Sequence, residues 1–172
     1  METWDAIRAR RNVRTYQDRA ITDQDLDRIL EAGRLTPSSI NWQPWDFVVV
    51  TDRTQLVELA KVWQGAGHIA SSAATIVLVG PVLGDDDIRR DWVQYDFGQA
   101  TMAMMLAAAD IGIGSGHGAV HDQDLARRLL GLPEDRFCAY MIGFGYPADR
   151  PLAPLKRPNR RPFDEVVHRD HW

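Results

Sequence analysis

A single cysteine, Cys138, in 172 residues excludes an intrachain disulfide and leaves no cysteine set for zinc. Such usage suits a reducing compartment. Long apolar runs are missing too: the longest, over 100–109, is too short to span a bilayer and is flanked by Asp96 and Asp110. Glu2 and Asp5 stand at the N-terminus with no apolar core behind a basic flank, so no signal peptide is expected there. Nor is positive charge in excess. A net charge of −4 speaks against nucleic acid as the main partner. The expectation is one soluble, cytoplasmic domain with neither a nucleic-acid nor a membrane partner. Catalytic motifs are equally scarce: His–Glu–X–X–His and Gly–X–Ser–X–Gly are absent, and histidines 68, 117, 121, 168 and 171 are spaced like no metal site. Gly112-X-Gly114-X-Gly116 follows a helical pattern rather than a strand, so it fails the context test of the dinucleotide fingerprint. With no nucleophile and no metal, dedicated binding loops point to a cofactor that carries the reaction.

What the chain does hold is an alternation of helical and strand patterns in a composition, 45% hydrophobic and 26% charged, that suits an ordinary globular core. Trp4 and Ile7 predict a short amphipathic helix over 3–10 with Thr3 as N-cap. Thr22-Asp23-Gln24-Asp25 opens a second helix, acidic in its first turn, with Leu26, Ile29, Leu30 and Gly33 on one face. The valines of 46–51 predict a buried strand, followed by a helix over 53–63 that Gln64-Gly65-Ala66-Gly67 breaks. A continuous apolar run at 74–80 predicts a strand covered on both faces. The longest helix, about 91–111, is apolar nearly all round past Gly98, which places it at the centre of a subunit or along the seam between two. Residues 112–118 end it as a glycine-dense turn, another helix runs from His121 to Gly131, and a third strand covers 139–144. The tail from Asp149 is rich in Pro and Arg and can bury little by itself, so its order depends on docking. Helices alternating with buried strands predict an α/β or α+β sheet domain.

One stretch stands apart. Pro37-Ser38-Ser39-Ile40-Asn41-Trp42-Gln43-Pro44-Trp45 sets two hydroxyls and two side-chain amides in a backbone stiffened by prolines, between a helix and a strand. Proline disfavours helix at the residue before it, so Thr36 and Gln43 are expected to be extended. A polar loop held this way suits a ligand, and its hydroxyls and amides match the donors and acceptors of a pyrimidinedione edge. Trp42 is the better candidate for a place near that ligand, Trp45 for the core. Basic residues crowd both ends: Arg8, Arg10, Arg11 and Arg14 at one, Lys156, Arg157, Arg160 and Arg161 at the other. Either cluster alone reads as a solvated face; together, with Asn12 as a further donor, they suit one phosphate dianion. Phosphate at one end and a pyrimidinedione at the other describe FMN.

These segments resemble the nitroreductase family of FMN-dependent oxidoreductases over nearly the whole chain. The resemblance is carried, in the family's order, by Arg10-Arg11-Asn12-Val13-Arg14-Thr15-Tyr16, Pro37-Ser38-Ser39-X-Asn41-X-Gln43-Pro44-Trp45, Asp96-X-Gly98, Gly112-Ile113-Gly114-Ser115, Ile142-Gly143-Phe144-Gly145-Tyr146-Pro147 and Arg160-Arg161-Pro162-Phe163-Asp164-Glu165-Val166-Val167-His168. It implies an α+β nitroreductase-like fold, a central, mostly antiparallel sheet flanked by helices, in an intertwined homodimer with two FMN sites at the interface. Residues 1–148 would be the FMN-binding domain, and 149–172 a tail of the same domain completing site and dimer. Arg10, Arg11, Asn12 and Arg14 would grip the phosphate end, joined by Arg160 and Arg161 from the tail. Pro37, Ser38, Ser39 and Asn41 would reach the ring from the other subunit, and His117–Gly118 would lie along it. NADH or NADPH would reduce the flavin and leave, and a nitroaromatic, quinone or other small acceptor would then take the electrons, a ping-pong sequence with its chemistry on flavin N5. Asn12 stands where the family usually has Ser, and the Gly116–Val120 segment lacks the bulkier residues many members carry. His117 there is either a solvent-facing turn residue or a functional one. The chain is also short for the family, which keeps a rival reading: a non-catalytic, flavin-storing dimer.

Overall fold

Two apolar runs pair along one side of the sheet. Asp46–Val50 (β1) pairs antiparallel with Ala74–Pro81 (β2), Val48 opposite Val77. The computed structural model describes residues 1–157 and 159–172. On its other edge β2 pairs antiparallel with Arg136–Gly145 (β4), which in turn carries Gly114–Ala119 (β3), giving the order β1-β2-β4-β3. The sheet is antiparallel throughout, and the fold is α+β.

The continuous hydrophobicity of β2 follows from its place. Ile76 and Leu78 face a core shared with the helices Asp23–Arg34 (α2) and Arg89–Asp110 (α4), through Ile29, Phe97, Met104 and Phe144. Val77 and Val79 face the opposite core, with Leu56 and Leu59 of Arg53–Leu59 (α3), Ile69 of the 3-10 helix Gln64–Ser71, and Ala126 of Gln123–Leu130 (α5). A strand flanked by two cores has no polar face. Trp45 is buried in the first of these cores, as expected, and Trp42 packs half-buried at its margin.

Several local expectations differ from the structure. The first helix, Thr3–Ala9 (α1), is capped by Glu2 without a side-chain bond, so Thr3 is its first helical residue. By contrast Thr22 caps α2, its hydroxyl accepting from the Asp25 N–H at 3.1 Å. The predicted helix over 53–63 ends at Leu59 and continues as 3-10 turns, because Trp63 turns extended. The long helix begins two residues earlier, at Arg89, and one side of it stays open, with Tyr95 and Met102 exposed. The main departure is β3. The glycine-dense segment is a turn only at Ile111–Gly112, where Gly112 takes φ 79°, and from Gly114 onward it is an edge strand of the sheet.

The tail leaves the body through Ala148, whose N–H donates to the Thr15 carbonyl, and passes α1 where the Leu155 N–H reaches the Arg8 carbonyl at 3.2 Å. Its described residues beyond that are exposed, Phe163 and Trp172 included. Among the described residues no helix is long and apolar enough to cross a membrane.

Candidate functional site

The first arginine cluster is laid along the edge of the sheet by its own backbone. Asn12 bridges Ser115 of β3 in parallel fashion, and the Val13 N–H donates to the Ser115 carbonyl at 2.8 Å. Tyr16, buried, turns its hydroxyl back to the Val13 and Gly143 carbonyls at 2.8 and 3.0 Å. This approach is possible because β3 is glycine there: a Cβ on Gly116 would stand 2.3 Å from the Val13 carbonyl oxygen. The glycines that looked like a turn are the space into which the N-terminal segment fits.

That docking gathers positive charge. Arg10 and Arg14 have no carboxylate partner among the described residues, in a chain where acids outnumber bases. Asn12 and Arg14 are exposed and Arg10 is half-buried. Two histidines feel them. Burial first, and then the charges of Arg10 and Arg14, hold the His117 imidazole below its ordinary pKa. Burial and Arg14 do the same to His68, against the pull of the Gly116 carbonyl. His117, on β3, lines a cleft of about 350 Å³ with Phe97, Gly98, Thr101, Met102 and Tyr140, so its ring faces α4 rather than open solvent. The Gly118 side of β3 faces the other core, near Met141 and Ala66.

The Pro37–Trp45 loop is built separately, on α4. The Asp96 carboxyl, fully buried, accepts the Ser39 N–H at 3.0 Å and the Ser39 hydroxyl at 3.3 Å. The Ser38 hydroxyl accepts the Gln43 N–H at 2.8 Å, and the Asn41 Oδ1 accepts the Gln43 amide at 3.3 Å. These bonds hold three non-glycine residues at positive φ: Ile40 at 51°, Asn41 at 56° and Gln43 at 53°. Gln43 is therefore not extended, contrary to the proline rule. Capture of its N–H by Ser38, together with burial of Pro44 and Trp45, decides its conformation. Left over for a ligand are the Ser38 hydroxyl proton and the Asn41 amide N–H groups. Ile40 stands 83% exposed at the tip. Trp42 lies beneath the Arg89 guanidinium, 5.4 Å from its ring centre.

The remaining candidates are placed as follows. Arg11 is mostly buried and committed, donating to the Asp149 carboxylate at 2.7 Å and to the Arg150 carbonyl at 2.8 Å, so it anchors the start of the tail. Arg160 and Arg161 are exposed in the tail, and Arg161 bonds Glu165 and its carbonyl. No hydrogen bond or ion pair among the described residues joins them, or the 37–45 loop, to Arg10 and Arg14. His168 stacks on Trp172, and no group of three metal-ligating side chains occurs among the described residues. Sequence reasoning passed over two residues, His68 and Asp96. The first follows the helix break at 64–67 and was considered only as a metal ligand, and the second was noted as part of a motif but given no role. Asp96 is the one carboxyl of this helix that lies neither in its first turn, like Asp91, nor at its end, like Asp110, and that was the available signal.

Comparison with known proteins agrees over most of the chain. The model described as Nitroreductase family matches residues 7–70 and 65–146. A protein of Archaeoglobus fulgidus, provisionally named NADH dehydrogenase/NAD(P)H nitroreductase, is 35% identical over 171 residues, covering 96% of this chain and 96% of that one. Among solved structures, the NADPH:FMN oxidoreductase from Vibrio harveyi complexed with NAD+ superposes with a TM-score of 0.84 at 27% identity, covering 97% of this chain and 76% of that one. An FMN-dependent nitroreductase from Clostridium difficile superposes with a TM-score of 0.83 over 97% of this chain and 98% of that one, and at 24% identity shows the fold alone.

Proposed function

The chain belongs to the nitroreductase family, and from that premise we propose that it is an FMN-dependent oxidoreductase. It takes hydride from NADH or NADPH and passes electrons by a ping-pong sequence to a nitroaromatic, quinone or other small acceptor. It works in the cytoplasm as a homodimer. The observation that carries this reading is the pair Arg10 and Arg14, left without carboxylates along a glycine edge strand. An acidic protein has carboxylates available to neutralise such a pair, and leaving it bare suits an external dianion.

The donor set fits FMN. Arg10, Arg14 and Asn12 would hold its phosphate, with Arg160 and Arg161 brought up by the tail that already passes α1 at Leu155. Arg11 contributes by fixing that tail through Asp149. The Pro37–Asn41 segment stands apart from this group within one chain, which suits delivery to the site of a second subunit. There Ser38 and Asn41 would donate to the ring edge, with Ser39 held back by Asp96. Pro37 and Ile40 would pack on the ring or on the partner. The open side of α4, with Tyr95 and Met102, supplies apolar surface for the same contact. His117 and Gly118 would lie along the ring, His117 as a neutral imidazole at neutral pH. When bound, FMN supplies the hydride and electron relay; the protein supplies position, shielding from water and a positive field.

Purified protein should be yellow, and anaerobic NADH or NADPH should bleach its flavin absorbance within seconds. Protein that binds FMN but is never bleached would be a flavin binder rather than an enzyme. Colourless apoprotein that ignores added FMN would overturn the whole reading.

A further inference from the structure

His68 has no part in the chemistry so far, yet it lies 8% exposed directly under the edge strand. Its Nε2 is 3.2 Å from the Gly116 carbonyl oxygen. A carbonyl can only accept, so in the neutral ring Nε2 carries the proton and Nδ1 is a bare lone pair, which is buried with no hydrogen-bond partner. The Gly65 carbonyl also favours the protonated ring. A neutral imidazole serves one of these carbonyls; an imidazolium can serve both. Tyr16 of the N-terminal segment stands beside it under Gly116, and the charges of Arg14 and of His117, on the opposite face of β3, bear on it. Arg14 opposes the cation, His117 is coupled to it, and Tyr16, with its phenol pushed well above the ordinary value by burial, stays neutral. Among the described residues no carboxylate bears on its charge.

We propose that His68 is a proton-coupled positioning residue of the anion site. It takes up a proton from solvent when a phosphate dianion is held by Arg10 and Arg14, and as an imidazolium it ties β3 to the 3-10 helix beneath through the Gly116 and Gly65 carbonyls. This rests on the phosphate placement proposed above. The cause is electrostatic compensation: Arg14 disfavours a second positive charge nearby, and a dianion cancels that effect. Linkage makes the coupling reciprocal, so dianion affinity rises as pH falls, by at most about tenfold per pH unit for one proton. Because β3 carries His117 and Gly118, the strand is locked once the phosphate is in place.

The test is calorimetric titration of apoprotein with FMN at about pH 7.5, where the phosphate is already dianionic, in two buffers of different ionisation enthalpy. Riboflavin, which lacks the phosphate, is the control. The wild type should take up a measurable fraction of a proton with FMN and none with riboflavin. His68→Gln, which keeps a donor for Gly116 but cannot titrate, should bind FMN with clearly less proton uptake and a shallower pH dependence, the remainder belonging to His117, whose protonation Arg10 and Arg14 also disfavour. Histidine-ring NMR of the wild type gives the same answer without a variant: the His68 titration midpoint should rise on adding FMN. FMN binding with no proton uptake, uptake unchanged in His68→Gln, or an unmoved His68 midpoint would each overturn the proposal while leaving the FMN reading intact. Failure to bind FMN at all would overturn both.

Discussion

Asp96→Ala should release the polar loop from the body of the protein. Ile40, Asn41 and Gln43 at φ 51°, 56° and 53° are left-handed, which costs about 1–2 kcal/mol each, or roughly 3–6 kcal/mol across the loop. Against that strain stand the burial of Pro44 and Trp45, the Ser38–Gln43 bond, and Asp96 with its two bonds to Ser39 at 3.0 and 3.3 Å. Removing the carboxyl leaves the Ser39 N–H facing a wall that has lost its acceptor, a penalty of about 1–3 kcal/mol if the loop stays in place. The strain exceeds that anchor, so the loop should let go rather than remain. Global stability should fall by about 2 kcal/mol, equivalent to a drop in Tm of roughly 4–8 °C for a chain of this size. Asp96→Asn keeps an acceptor oxygen at the same place and should lose about 1 kcal/mol or less. Urea unfolding at one fixed protein concentration, followed by tryptophan fluorescence, measures the first effect; hydrogen exchange of the 37–45 peptides measures the second. An Asp96→Ala protein with an unchanged midpoint and unchanged exchange in that loop would refute the reasoning.

Gly116→Ala would set a Cβ 2.3 Å from the Val13 carbonyl; overpacking of this kind costs about 1–3 kcal/mol, and calorimetry should show a lowered Tm together with loss of FMN binding, because the arginine segment is displaced. Arg14→Ala should weaken FMN roughly tenfold or more by loss of charge-assisted bonds. In the apoprotein the same change should raise the titration midpoints of both His68 and His117 in NMR, since Arg14 lowers both. These two histidines titrate lower folded than unfolded, so the unfolded state binds more protons; apoprotein stability should therefore be full above their unfolded pKa of about 6.5 and decline as pH falls below it, measured by urea midpoints across pH. Truncation after Pro147 removes the Arg11–Asp149 anchor and the tail arginines, and should abolish dimerisation and FMN retention together; a truncated protein that stays a yellow dimer would refute the role given to the tail.

The parts of the fold that could be read from sequence are those whose cause is local. β2 announces itself because both of its faces are covered, and α2 because Thr22 and an acidic first turn cap it. β3 could not be read that way. Gly-Ser-Gly-His-Gly-Ala has no β-branched residue and no alternation; it is glycine because Val13, a hundred residues earlier in the chain, needs the space above Gly114 and Gly116. Residue types at the polar loop marked it as special, but its conformation rests on Asp96, a distant helix residue that holds Ser39, and on capture of the Gln43 N–H by Ser38, and so the proline rule failed at Gln43.

A consequence follows for assembly. Within one chain the loop is already fixed on α4, and the arginines are already fixed along β3, while the two groups do not touch. On the proposed dimer, each half-site is thus preorganised before association, and joining them requires docking rather than refolding. The tail differs: its described residues beyond Leu155 are exposed, Phe163, Val166 and Trp172 among them. Its ordering entropy must then be met at the interface. Dimer stability should accordingly be far more sensitive to changes in the tail than to changes in the Pro37–Trp45 loop, whose conformation is held from within.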